Sequence, residues 1–119
     1  MNISGEPTLD HTDIVFYENA AGQDFDATFA GPGASCNILT ETWFWRKADS
    51  TMELKSVDWA LQKVEEANHH NVTFLLNAAP NQLGLIDENI VKQFKAVGER
   101  YNKPAKLEEV PENWLHRLK

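Results

Sequence analysis

The stretch Val72–Asn77, which reads VTFLLN, decides the fold class of this chain. It has no charged residue, is apolar on both faces, and is followed by Ala78-Ala79-Pro80, where a strand would stop. A short apolar run bounded by turn residues is typical of a buried strand in a parallel sheet. Helical patterns precede and follow it, and strands that alternate with amphipathic helices predict an α/β fold with parallel strands.

Both flanking helices carry apolar residues at helical spacing. In the first helix Ser56 is placed as the N-cap, and Asp58 lies in the first turn, where a carboxylate stabilises the helix dipole. Its apolar residues, which end before His69-His70-Asn71, are Val57, Ala60, Leu61, Val64 and Ala67. In the second helix Asp87 is placed as the cap, and the apolar positions i, i+4, i+7 and i+11 hold Ile90, Phe94, Val97 and Tyr101.

Two shorter strands are predicted upstream. Residues 13–17 (DIVFY) form an apolar run that ends at Glu18-Asn19, and residues 36–40 (CNILT) form a second run. Residues 20–35 have the composition of a loop, and the tail 102–119 is irregular apart from a short turn near Trp114. An eight-stranded barrel takes about 250 residues, so a chain of 119 residues holds only a portion of one. The alternative is a small self-sufficient sheet with unpaired edges.

Charge and composition argue against several classes of function. The formal net charge of −7 disfavours a nucleic-acid partner, because phosphate contacts need clustered Lys and Arg. The single cysteine, Cys36, excludes an internal disulfide and a site built from several thiolates. Adjacent His69 and His70 do not face one point on a helix, and no apolar run reaches the roughly 18 residues of a membrane-spanning helix. We therefore expect no membrane partner and no metal site. The sequence also has no Gly-rich phosphate loop, and we expect no organic cofactor.

The most unusual stretch is 41–49 (ETWFWRKAD), in which three aromatic residues lie beside carboxylates and a basic pair. Sugar rings stack on aromatic side chains, and charged groups bind sugar hydroxyls. The candidate substrate-binding residues are therefore Trp43, Trp45, Arg46 and Glu41. The alternative is that Trp43 and Trp45 fill a core beside an exposed basic pair.

Glu18 is a candidate catalytic residue because it stands at the end of an apolar strand. In a barrel the carboxyl ends of the strands form the catalytic rim. A lone carboxylate at a strand end is also a common loop-capping residue. From the sequence, Glu18 is therefore either a catalytic residue or a loop cap.

Three separated segments together resemble one family of enzymes. Residues 72–86 (VTFLLNAAPNQLGLI) resemble the signature G-N-L-L-L-N-x-x-P-x-x-D-G-x-I of glycoside hydrolase family 29, the alpha-L-fucosidases. Upstream, Trp43-Phe44-Trp45, a polar loop and Leu54-Lys55-Ser56-Val57 are similar to that family's pattern of W-F-Y/W, loop and K-S-V/L. Downstream, residues 90–101 are similar to its closing helix, E-x-L-x-x-I-G-x-W, with Gly98 in register. The resemblance covers residues 13 to 101 in the right order.

This resemblance implies that residues 1–119 are a partial glycoside hydrolase catalytic domain, the last β/α units of a (β/α)8 TIM-like barrel. The family hydrolyses terminal alpha-L-fucosides with retention, through two carboxylates about 5–5.5 Å apart. The implied partner is a fucosylated glycan or a small fucoside. The family's Asp nucleophile lies on a strand upstream of the matched segments, so we expect the isolated chain to be inactive. Family members are commonly secreted, periplasmic or lysosomal.

The acid/base glutamate of the family corresponds by position to Asp49, which is a departure. An aspartate is one methylene shorter and withdraws the proton by about 1.5 Å, and a misplacement of that order costs roughly 100-fold in rate. Either the loop compensates, or Glu53, Glu41 or Glu18 takes the role, or the activity has changed. Leu83 replaces the aspartate of the signature, which affects the loop more than the fold.

Two other hypotheses belong to different classes. A non-catalytic carbohydrate-binding or interaction module would keep the aromatic loop and would need no carboxylate pair. A chain without an independent role would be held together by self-association through exposed sheet edges.

Overall fold

The computed structural model of the chain describes residues 14–18, 27–112 and 114. These residues form a three-stranded parallel sheet and two α-helices. In chain order the elements are β1 (Val15–Glu18), β2 (Gly33–Ile38), α1 (Val57–His69), β3 (Val72–Asn77) and α2 (Glu88–Arg100), with a 3₁₀ turn at Lys47–Ser50 between β2 and α1. The predicted α/β class, with parallel strands and amphipathic helices, is confirmed.

The three strands lie side by side in the order β1-β2-β3 and run in the same direction. Glu18 lies opposite Cys36, which in turn lies opposite Leu75. Because the strands are parallel, their carboxyl ends meet at one edge of the sheet. The segments that follow β2 and β3, residues 39–55 and 78–87, therefore start from the same edge, where α/β folds place their sites.

The predicted bounds of β2 are wrong. The strand begins at Gly33 and ends at Ile38, whereas residues 36–40 were predicted, and the predicted loop 20–35 contains its first half. The reason is steric: a Cβ at Gly33 would lie 3.0 Å from the Val15 carbonyl oxygen and 3.1 Å from a Val72 methyl. A central strand this closely packed takes small residues, which strand patterns built on bulky side chains do not detect. The first strand spans Val15–Glu18, and position 13 of the prediction lies outside the described residues.

The two faces of the sheet are covered to different degrees. Val15, Tyr17 and Val72 are buried on one face, and Val72 borders a cavity shared with Val64 of α1 and Phe94 of α2, so this is the helix side. On the other face Phe16 is 36% exposed and Leu75 is 46% exposed. Val72–Asn77 is apolar on both faces, as its sequence shows, but within the described residues only the helix side of the strand is covered. Parallel sheets are ordinarily covered on both faces.

Both helices lie where the apolar spacing predicts them. Ser56 caps α1, since its hydroxyl oxygen accepts the Trp59 N–H at 3.0 Å. Two residues of this helix, Ala60 and Ala67, are buried. In α2, Ile90 is buried. Asp87 precedes α2 as predicted but makes no side-chain cap bond to it. Residues 102–112 of the tail are irregular, as expected.

Candidate functional site

The loop after β2 is anchored at both ends by Lys55. Its ammonium donates to the Ile38 carbonyl at 2.9 Å, and its backbone N–H donates to the Leu39 carbonyl at 3.0 Å. The same ammonium lies 4.6 Å from the centre of the Trp59 ring. Burial, with a smaller contribution from Lys63, lowers the pKa of Lys55. Residues 39–55 therefore form a closed loop that is fixed at the carboxyl end of β2.

Asp49 is the centre of this loop. Its side chain is 2% exposed, and one carboxylate oxygen accepts the Arg46 backbone N–H at 2.8 Å. The other oxygen accepts Arg46 Nε–H at 3.3 Å and Nη2–H at 3.1 Å. The Asn89 amide donates to the Asp49 carbonyl at 2.7 Å, which ties the loop to α2. An acid/base carboxylate must reach the glycosidic oxygen, whereas Asp49 is bonded to Arg46 here, and its catalytic role stays a prediction.

Arg46 joins two of the predicted site residues. Its Nη2 lies 3.0 Å from Glu41 and 3.1 Å from Asp49. These hydrogen bonds, first to Glu41 and then to Asp49, raise the pKa of Arg46. Side-chain exposures of 41% for Arg46 and 69% for Glu41 leave both groups accessible to a ligand. The structure thus brings Glu41, Arg46 and Asp49 together at the edge of the sheet.

Trp45 connects the loop after β2 to the loop after β3. Its indole N–H donates to Asp87 Oδ2 at 2.7 Å, and the Asn81 amide donates to Asp87 Oδ1 at 3.0 Å. The Asn77 amide donates to the Trp43 carbonyl at 3.1 Å, which makes a second link between β3 and the aromatic segment. Trp43 and Trp45 are half-buried. They are thus neither fully in a core nor fully in solvent.

Sequence reasoning missed Asp87 and Asn81 as parts of this site. Asp87 was assigned to the cap of α2, and its carboxylate instead binds Trp45, which is distant in sequence. No local pattern reports such a pair. The available signal was that Asn81 lies within the segment 72–86, at a position that the family signature leaves open, and that Asp87 directly follows this segment.

Glu18 lies at the same edge of the sheet but beside other neighbours. It ends β1, is exposed, and is opposite Cys36. Burial, with a smaller contribution from the Glu18 charge, raises the pKa of Cys36. Glu18 thus lies at the carboxyl end of its strand, where the sequence places it. Its catalytic role stays a prediction.

A cavity of about 540 Å³ lies away from these residues, between α1, β3 and α2. Its lining is mainly apolar and includes Phe74, Leu76, Phe94, Val97 and Tyr101, and none of the predicted site residues. We place the candidate site at the loops instead, because polar groups converge there at the carboxyl ends of parallel strands. The cavity is better explained as space left beside the edge strand β3.

No protein-family model, curated protein or solved structure matches this chain. Among residues 14–18, 27–112 and 114, no cluster of three His, Cys, Asp or Glu side chains could hold a metal ion. In the same part of the chain, every helix is too short or too polar to cross a bilayer.

Proposed function

We propose that this chain is the C-terminal portion of an alpha-L-fucosidase-like glycoside hydrolase with a (β/α)8 barrel. The observation that carries the proposal is the hydrogen bond between Trp45 and Asp87. It joins Trp43-Phe44-Trp45 to Asp87, which directly follows the matched segment 72–86. The bond from the Asn77 amide to the Trp43 carbonyl, at 3.1 Å, links the two matched segments themselves. Segments that are separate in sequence thus contribute to one edge of the sheet.

The uncovered face of the sheet supports a partial barrel. Phe16 and Leu75 are apolar and exposed on the face opposite the helices, which is the face that would line a barrel interior filled by side chains. The cavity between α1, β3 and α2 is lined mainly by apolar side chains of these three elements, and a further strand beside β3 would cover part of it. Both features are expected of strands whose neighbours belong to a longer polypeptide.

Each residue of the site has a proposed role. The rings of Trp43 and Trp45 contact the sugar, while Arg46 and Glu41 bind its hydroxyls. Asp49 or Glu18 serves as the acid/base residue, and the nucleophilic carboxylate comes from a strand outside the matched segments. Hydrolysis then proceeds with retention on a terminal alpha-L-fucoside. No metal or organic cofactor takes part in this chemistry.

A non-catalytic carbohydrate-binding module is the second candidate function. It is favoured by the state of Asp49, whose carboxylate is buried and bonded to Arg46 through both oxygens. Such a module needs the aromatic residues but no proton donor. Self-association through the exposed face and edge of the sheet is a third proposal, supported by the exposure of Phe16 and Leu75.

Calorimetric titration with L-fucose tests the proposed sugar site. We expect the wild-type chain to bind L-fucose, and Trp43→Ala to weaken binding at least about tenfold, because the stacking contact is lost. D-fucose is the matched control ligand and is expected not to bind. Binding unchanged by Asp49→Asn but lost in Trp43→Ala favours the module over the hydrolase. A wild-type chain that binds neither enantiomer, or both equally, overturns the site.

A further inference from the structure

The cavity between α1, β3 and α2 has the size and the lining of a small-molecule site. Its volume is about 540 Å³, and small-molecule sites typically have volumes of roughly 300–1,000 Å³. Apolar side chains from all three elements form its walls, namely Val64, Phe74, Leu76, Phe94 and Val97. Each of these side chains is half-buried, so a ligand in the cavity would remove apolar surface from water.

The lining of the cavity is uncharged. Among the described residues, none of those that line it is an Asp, Glu, Lys or Arg, whereas 24% of the residues of the chain are charged. Taking a charge out of water without a partner is costly. The cavity therefore suits a neutral ligand, in contrast to the loops after β2 and β3, where Arg46 meets Glu41 and Asp49.

One pair of polar side chains can fix the orientation of a ligand in the cavity. The Asn68 amide donates to the Tyr101 hydroxyl oxygen at 3.2 Å, and both residues line the cavity. The Tyr101 hydroxyl accepts this bond and can donate its own hydrogen to a ligand, while the Asn68 side-chain oxygen can accept one. Two further polar lining residues, Asn71 and Thr73, lie at the start of β3. The pair fits a ligand with one hydroxyl or carbonyl group.

Gly98 leaves open space on the α2 side of the cavity. It lines the cavity, and a Cβ at this position would meet no atom within 4 Å. Its backbone is helical, and glycine is less favourable than alanine in a helix interior. Neither close packing nor backbone conformation therefore requires a glycine here, and a larger side chain at this position would reduce the space.

We propose that this cavity binds a neutral aromatic or alicyclic compound that carries one hydroxyl or carbonyl group. The ring system packs against Phe74 and Phe94, and the polar group bonds to Tyr101. The inference goes beyond the proposed function and does not depend on it, because none of the predicted site residues lines the cavity. The position beside the edge strand β3 leaves the cavity open to such a ligand.

Binding titrations with three naphthalene compounds, followed by ligand fluorescence, test this inference. 2-Naphthol is neutral and has one hydroxyl group, naphthalene lacks that group, and naphthalene-2-sulfonate carries a charge. We expect 2-naphthol to bind at least about tenfold more tightly than the sulfonate, because the lining offers no partner for a charge. Tyr101→Phe should weaken 2-naphthol binding severalfold, since a hydrogen bond is lost, and should leave naphthalene binding unchanged.

Gly98→Leu tests whether the ligand occupies the cavity. The new side chain takes up the open space, so we expect 2-naphthol to bind at least about tenfold more weakly than to wild type. Lys95→Leu is the matched control, because it adds the same side chain at an exposed position of α2 that does not line the cavity, and it should leave binding unchanged. Circular dichroism checks that the variants keep the wild-type fold.

Three results would overturn the inference. The first is 2-naphthol binding that is equal in wild type and a folded Gly98→Leu variant, which would place the ligand elsewhere. The second is 2-naphthol binding unaffected by Tyr101→Phe, a test that stands even if Gly98→Leu does not fold. The third is a wild-type chain that binds none of the three compounds, or that binds the sulfonate as tightly as 2-naphthol.

Discussion

Replacing Asp49 by alanine is expected to lower the free energy of unfolding by about 2–3 kcal/mol. We expect this to be the largest loss among single substitutions in the loops that follow β2 and β3. The buried carboxylate accepts three N–H groups of Arg46, and the substitution leaves the Arg46 backbone N–H without its partner. The Arg46 guanidinium keeps Glu41 and solvent, which limits the loss below that for a fully buried charge. Urea unfolding followed by circular dichroism measures the change.

Two variants serve as controls for Asp49. Asp49→Asn keeps the shape and can still accept one N–H, so we expect a smaller loss than for Asp49→Ala. Glu53→Ala removes an exposed carboxylate from the same loop and should change stability by less than about 0.5 kcal/mol. Equal stability of wild type and Asp49→Ala would show that the Asp49 contacts do not hold the loop.

Replacing Asp87 by alanine is expected to lower the free energy of unfolding by about 2 kcal/mol and to release Trp45. Asp87 accepts the Trp45 indole N–H at 2.7 Å and the Asn81 amide at 3.0 Å, and it also precedes the first turn of α2. Loss of the carboxylate leaves both donors without a partner. Unfolding experiments measure the stability, and a change in tryptophan emission reports the release of the indole.

Glu88→Ala is the matched control for Asp87→Ala. Glu88 is the next residue, and its side chain, which is 82% exposed, pairs with Lys92 at 3.2 Å. An exposed pair of this kind contributes little, so we expect a change below about 0.5 kcal/mol and unaltered emission. A similar loss in both variants would assign the effect to the start of α2 rather than to the bond with Trp45.

The elements with a strong local pattern could be predicted from the sequence. Val72–Asn77 forms a strand with the predicted bounds, and Ser56 caps a helix whose apolar positions recur at helical spacing. Parallel pairing followed from the alternation of strands and helices. The strand Gly33–Ile38 was misplaced because its small residues are selected by contact with neighbouring strands, which a local pattern does not contain.

The candidate site could be predicted only where its residues are close in sequence. Glu41, Arg46 and Asp49 lie within one loop and are joined by hydrogen bonds. The bond between Trp45 and Asp87 depends on how the loops after β2 and β3 meet. The local sequence pattern does not contain that information, and it predicts Asp87 only as a helix cap. Whether a sheet face has a partner is also a property of the assembled fold, which is why the exposure of Leu75 was not foreseen.

The most direct test of the central claim is an NMR titration with L-fucose that follows the four tryptophan indole N–H signals. We predict that the signals of Trp43 and Trp45 shift with L-fucose and not with D-fucose, while the signal of Trp59 in α1 stays in place. Shifts confined to residues that line the cavity between α1, β3 and α2, with Trp43 and Trp45 unaffected, would contradict a sugar site at the carboxyl edge of the sheet.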